Sequence, residues 1–141
     1  MSDKTFVDTN VLMYAHDVDS PKRNIANHIL DELWAERTGA LSVQVLQEFY
    51  INVTRKIARP LPKASARRVV DAYAIWAVDI TPAEISSAFR IEDQARIGFW
   101  EALIVAGALK SGATRIISED LNTGQRIAGI RIENPFASNR S

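Results

Sequence analysis

The sequence predicts an α/β fold in which a parallel sheet is covered by helices on both faces. Three observations carry this. Five short runs rich in Val, Ile, Phe or Thr read as strands, at 5–8, 40–42, 77–80, 115–118 and 129–133. Segments of helical period separate the first four of them, the order that gives parallel strands joined by helical crossovers. One of those segments, 98–109 (GFWEALIVAGAL), is apolar nearly all round and reads as a buried helix.

Each element has local support. After the first strand, Asp8, Thr9 and Asn10 suit the cap of a short helix over 11–15. Ser20-Pro21 predicts the next helix, with Ser as cap and Pro in the first helical position, running to 36. A third helix spans 43–58, and the stretch Arg59-Pro60-Leu61-Pro62 ends it, because proline lacks a donor and restricts the residue before it. A fourth covers 63–73. Thr81-Pro82-Ala83-Glu84 is a capping box with proline at the first position, opening a helix to 95. The apolar helix stops at Ser111-Gly112. Residues 1–136 form one domain in this reading, and 137–141 a loose tail.

Composition narrows the chemistry. The 141 residues contain no cysteine and two histidines, His16 and His28, which excludes disulfides and thiolate metal sites and argues against zinc. A metal here would be held by oxygen, as suits Mg²⁺ or Mn²⁺. Formal net charge is zero, so bulk charge does not suit the chain to nucleic acid, although a local basic patch would. No hydrophobic run is long enough to cross a membrane and the first residues lack a signal-peptide pattern, so the expected location is the cytoplasm.

In open parallel sheets the ligand crevice lies beyond the carboxyl ends of the strands. Acidic residues gather there. Asp8 ends the first strand; it is either a helix cap or a metal ligand oriented by Thr9 and Asn10. Glu48 lies on the wheel opposite the apolar stripe Leu46, Phe49, Tyr50, Val53 and Ile57, which reads as a solvated face. Glu101 falls in the first turn of the apolar helix, where it can complete a cap on Gly98, face the crevice, or do both. Asp120 follows the fourth strand as a turn or cap residue before 121–126, with Ser118 as polar neighbour and Glu119 as rival for the same role. Carboxylates held together repel unless a cation joins them. A divalent ion meets that need and generates hydroxide from water, the chemistry of phosphodiester hydrolysis. Between residues 49 and 70 there is no acid, while Arg55, Lys56, Arg59, Lys63, Arg67 and Arg68 are basic. They are either an ordinary solvated surface or a guide for a polyanion backbone.

The stretches FVDTNVLMYA, SVQVLQEFY, FWEALIVAGAL and IISEDLNTG, in this order up to NPF at 134–136, resemble the PIN-domain family and within it the VapC-type toxin ribonucleases. The resemblance implies a three-layer α/β/α sandwich around a parallel sheet of four to five strands. It implies a Mg²⁺- or Mn²⁺-dependent ribonuclease whose catalytic acids are Asp8, Glu48, Glu101 and Asp120, with Asp8, Glu101 and Asp120 as metal ligands and Thr9, Asn10 and Ser118 as polar supports. It also implies an RNA substrate, a homodimer, and a small antitoxin partner. One residue departs from the pattern: this chain has FWEA where that branch usually has FWDA. Glutamate keeps the charge and displaces its oxygens by a methylene. A second reading follows, a PIN-fold module that binds RNA or a protein partner with little or no turnover. A phospho-acceptor role for Asp8 is disfavoured, because DTN lacks a second aspartate two residues on.

Overall fold

The computed structural model describes residues 3–137; the predicted tail therefore lies, apart from Ala137, outside the described residues. In chain order the elements are β1 (Lys4–Val7), α1 (Thr9–Ala15), α2 (Arg23–Glu36), β2 (Gly39–Ser42), α3 (Val43–Arg55), α4 (Lys63–Tyr73), a 3₁₀ turn (Ala74–Trp76), β3 (Ala77–Val78), α5 (Pro82–Ala95), α6 (Phe99–Ser111), β4 (Ala113–Ile117), β5 (Arg126–Ile127) and β6 (Ile130–Glu133). The strands form one sheet in the order β3-β2-β1-β4-β6-β5. All neighbours are parallel except β5 and β6.

The order explains the layers. From β1 the chain moves outward to β2 and β3, then returns past β1 to β4. Right-handed crossovers place helices of opposite travel on opposite faces. So α1 to α4 share one face and pack on one another, while α6 covers β1 to β4 from the other with α5 outside it. Sandwiched between sheet and helix, α6 is buried from Ala102 to Ala108, as its apolar composition predicts. The core joins both layers through Phe6, Val7, Leu41, Phe49, Val105 and Ile116, all essentially without solvent exposure. Burying each such side chain contributes about 1.5–3 kcal/mol.

Four local expectations are corrected. The α2 helix begins at Arg23 rather than at Pro21, because the Ser20 hydroxyl accepts the Lys22 N–H at 3.1 Å and closes a separate turn first. The α3 helix ends at Arg55, short of 58. The segment expected to be helical after Asp120 is not; residues 121–125 are turns and irregular chain. They lead into β5, a two-residue antiparallel edge strand that raises the sheet to six strands.

The turn between β5 and β6 carries strain. Its two central residues, Ala128 and Gly129, have φ of 52° and 84°. Positive φ at both positions is what a type I′ hairpin requires, and asparagine followed by glycine suits it best. Alanine in the left-handed region costs about 1–2 kcal/mol. Ala128→Asn is therefore expected to stabilise the protein by about 1 kcal/mol, read as a higher urea midpoint with an unchanged slope.

Close approach sets a second glycine. Gly39 opens β2 against the indole of Trp76, and a β-carbon there would lie 2.5 Å from the ring. Trp76 is itself packed between Trp34, at a centroid distance of 4.3 Å, and Tyr73, at 5.0 Å.

Candidate active site

The sheet reverses its strand order between β1 and β4, the place where an open α/β sheet leaves a crevice. Pairing of Val7 with Ile117 puts the ends of these strands side by side. The Asp8 N–H continues the ladder by donating to Ile117 O at 3.0 Å. Asp8 and Ser118 then follow as neighbours. The Ser118 hydroxyl donates to Asp8 Oδ2 at 2.6 Å and accepts the Asp120 N–H at 3.1 Å, while Asp8 Oδ1 accepts the Thr9 N–H at 2.7 Å. Asp8 thus caps α1 and still faces the crevice.

The remaining acids are tied in from other elements. Thr9 Oγ1 donates to Glu48 Oε1 at 2.7 Å, and Gln44 Nε2 donates to Glu48 Oε2 at 3.2 Å. Asn10 Nδ2 donates to Asp120 Oδ2 at 3.0 Å, and its Oδ1 accepts the Glu119 N–H at 3.1 Å. Glu101 Oε1 accepts the Gly98 N–H at 2.8 Å, closing the first turn of α6. Asp8, Glu48, Glu101 and Asp120, from four separate segments, line one cleft of about 280 Å³ together with Gln44, Gly98, Phe99 and Trp100. Larger hollows of about 600 Å³ and 480 Å³ lie at the opposite end of the sheet and between α3 and α4, and neither gathers strand-end carboxylates.

Two readings of the acids change. Glu48 is not on a solvated face. It is half-buried, because the face of α3 opposite its apolar stripe turns its first two turns toward α1 and the cleft. The cue available was the polar pair Gln44 and Glu48, one helical turn apart. The choice between Glu119 and Asp120 is also resolved. Glu119 turns away, accepting the Tyr14 hydroxyl and pairing with Lys22. Burial raises the carboxyl pKa of Glu119, but these two partners outweigh it and hold the group below the usual range.

Asp8 carries the main electrostatic signature. Its pKa is raised to about 6, with burial the largest cause. Hydrogen bonds from Ser118 and Thr9 pull it partly back, and the negative charges of Asp120 and Glu48 push it up further. No lysine or arginine lines the cleft. A buried carboxylate beside two others with no positive group at hand is where a cation has most to gain.

The donors suit a hard cation in kind: every side-chain ligand available is oxygen, and the buried Gln44 Oε1 has no hydrogen-bond partner. They do not form a closed cage, since no three acidic or histidine side chains among the described residues are close enough to hold an ion together. An ion here would therefore have to draw most of its ligands from water, with one or two carboxylates holding it, a mode Mg²⁺ tolerates. His16 takes no part; it packs between Phe49 and Tyr73, where burial holds its pKa down.

The six basic residues of 49–70 are all exposed, and none lines the cleft. They sit at the end of α3, in the loop that follows it and on α4. Arg59 is engaged by Asp19 at 2.6 Å and 3.0 Å, and Arg67 lies over the Tyr50 ring.

Comparison with known proteins agrees with this fold. The family described as PIN domain matches residues 5–129. Among curated proteins nothing matches the chain. Several solved structures share its fold. The Mycobacterium tuberculosis VapC20, a sarcin–ricin loop cleaving toxin, is 17% identical with a TM-score of 0.62, over 83% of this chain and 90% of that one. A toxin–antitoxin complex from Klebsiella pneumoniae is 16% identical with a TM-score of 0.68, covering 94% and 98%. DNA-bound VapBC from Salmonella typhimurium is 20% identical with a TM-score of 0.65, covering 95% and 99%. Among the described residues no helix is long and apolar enough to cross a membrane.

Proposed function

Because the chain belongs to the PIN-domain family, we propose that its carboxylate cleft makes it a Mg²⁺- or Mn²⁺-dependent endoribonuclease, the toxin of a toxin–antitoxin pair. The observation that carries this reading is the meeting of four acids from distant parts of the chain at the switch point of the sheet. Asp8 and Glu101 would hold the ion, with Asp120 and Glu48 completing the cluster. When bound, the ion supplies Lewis acidity toward the phosphate and lowers the pKa of its water. The chain's own residues supply orientation. Ser118 fixes Asp8, Thr9 and Gln44 fix both oxygens of Glu48, and Asn10 fixes Asp120. Arg55, Lys56, Lys63 and Arg68, exposed beyond the cleft, would meet the backbone of a longer strand, which makes binding salt-dependent. An antitoxin partner and a homodimer belong to the same proposal; the toxin–antitoxin assemblies sharing the fold support the first.

The test is direct. Labelled single-stranded RNA is incubated with the purified protein in Mg²⁺, Mn²⁺ or chelator. Cleavage with either ion and none in chelator is expected. Intact RNA under all three conditions, with no manganese uptake by calorimetry, would sink the proposal.

One observation favours the alternative, a PIN-fold module with little turnover. Glu101 folds back on its own helix, an arrangement its extra methylene permits and one that occupies Oε1 with the Gly98 N–H. Glu101→Asp separates the two readings. A large gain in metal affinity and cutting would mark the wild-type cleft as attenuated, and equal activity would mark it as competent.

A further inference from the structure

Two large aromatic side chains, Phe99 and Trp100, line the carboxylate cleft, and Phe89 of α5 packs beside Phe99. Trp100 is 66% exposed and Phe89 is 53% exposed. Phe99 lies between them, with ring centroids 5.8 Å from Phe89 and 5.2 Å from Trp100, the latter pair edge to face. Burial gives no reason for the outer two, since an exposed indole contributes little to packing. Yet the Trp100 backbone is held beside the cleft. It occupies the first turn of α6 beside Glu101, and Gln44 Nε2 donates to its carbonyl at 3.2 Å. Phe99 and Trp100 line the same cleft as the four acids.

The cleft's own side chains include no Lys or Arg, and an ion held by its acids would serve the phosphate and not the base. The contact to the base is left to uncharged groups. Aromatic rings supply it, because every base presents a π face and stacking is indifferent to the phosphate charge.

We propose that Trp100, buttressed by Phe99 and Phe89, is the stacking platform for one unpaired nucleobase of the RNA strand whose phosphate enters the carboxylate cleft. This rests on the ribonuclease reading and adds the substrate feature that the cleft requires: a base free of its helix next to the reacting phosphate. A paired base cannot present its face to a side chain, so duplex RNA is excluded at this position. Larger purines stack over more of the indole than pyrimidines do.

The experiment measures binding, so that it stands apart from cutting. Fluorescence anisotropy compares oligoadenylate with an abasic ribose-phosphate chain of the same length and charge. The proteins are Asp8→Asn, which holds RNA uncut, and the same protein carrying Trp100→Leu or Trp100→Phe. Leucine keeps an apolar side chain without the π face; phenylalanine restores it. Trp100→Leu is expected to weaken oligoadenylate binding about tenfold, to leave the abasic chain unchanged, and to do so equally at low and high salt. Trp100→Phe recovers most of the loss. Equal binding of oligoadenylate by the Trp and Leu proteins overturns the proposal. So does a loss that is the same for the abasic chain, which would mark a general disturbance of the cleft. Sedimentation of each variant closes the remaining route: a change in oligomeric state without a change in oligoadenylate binding assigns the patch to a second copy of the chain instead. If the wild-type protein cuts no RNA but the stacking contrast persists, the platform survives and the hydrolytic reading fails.

Discussion

Asp8→Asn is expected to cost more than about a hundredfold in RNA cleavage, since even outer partners of metal ligands are worth 10–100-fold, and at the same time to make the protein more stable. The two effects share one cause. Asp8 is buried beside Glu48 and Asp120, and its pKa is raised to about 6 from 3.8. The folded protein therefore binds a proton at Asp8 that the unfolded chain has already released between those values. Stability falls as pH rises through that window, and the penalty is complete above it. Two pH units correspond to about 3 kcal/mol, and replacement of the Ser118 hydrogen bond offsets part of it, leaving a gain of about 1–2 kcal/mol. Thermal unfolding in chelator at about pH 7.5 checks this: the variant should melt several degrees higher there and little differently at about pH 4. Manganese should raise the melting temperature of the wild-type protein and leave the variant unmoved. A variant that melts lower than wild type at neutral pH in chelator would show that Asp8 serves the fold rather than a cation.

Gly39→Ala is expected to be the most destabilising single-methyl change outside the cleft. The added carbon would lie 2.5–2.6 Å from three atoms of the Trp76 ring. An exposed or flexible neighbour would swing aside. Trp76 cannot, because it is 9% exposed and enclosed by Trp34 and Tyr73. Either the aromatic cluster opens or β2 shifts. Overpacking of this kind costs about 1–3 kcal/mol. Gly39 also pairs with Thr5 of β1, the strand that leads into Asp8, so a shift of β2 would reach the cleft and lower cleavage as well. Urea unfolding followed by tryptophan fluorescence measures the first effect. The pair Gly39→Ala with Trp76→Leu should cost less than the sum of the two single changes, and strict additivity would show that the methyl is accommodated elsewhere.

Much of the fold is legible in the sequence because periodicity and punctuation report local forces. The apolar helix at 98–111, the capping box at Thr81 and Glu84, with the Thr81 N–H donating to Glu84 Oε1 at 2.7 Å, and the stop at Gly112, with φ of 78°, all follow from neighbours a few residues apart. The hairpin at Ala128-Gly129 does not, because a two-residue strand leaves no alternation to read and alanine is a poor signal for positive φ. The cleft divides in the same way. Asp8 and Asp120 are visible from their positions after strands. Glu48 is misread from its helix alone, since the partner that draws it inward, Thr9, is 39 residues away. The rivalry between Glu119 and Asp120 is settled by Tyr14 and Lys22, about a hundred positions earlier in the chain, and no local pattern encodes that distance. The aromatic rim is similarly hidden, because Phe99 and Trp100 read as part of a uniformly apolar helix.

The direct pairing of β1 with β4 has a consequence for synthesis. During translation the amino-terminal strand emerges early and waits for a neighbour encoded more than a hundred codons later. Ser118 and Asp120, delivered by that neighbour, are what orient the first acid and complete the acidic set. On the proposed ribonuclease reading, a nascent polypeptide short of Asp120 would hold only part of its acidic set, so cutting would await synthesis of β4 and the turn after it.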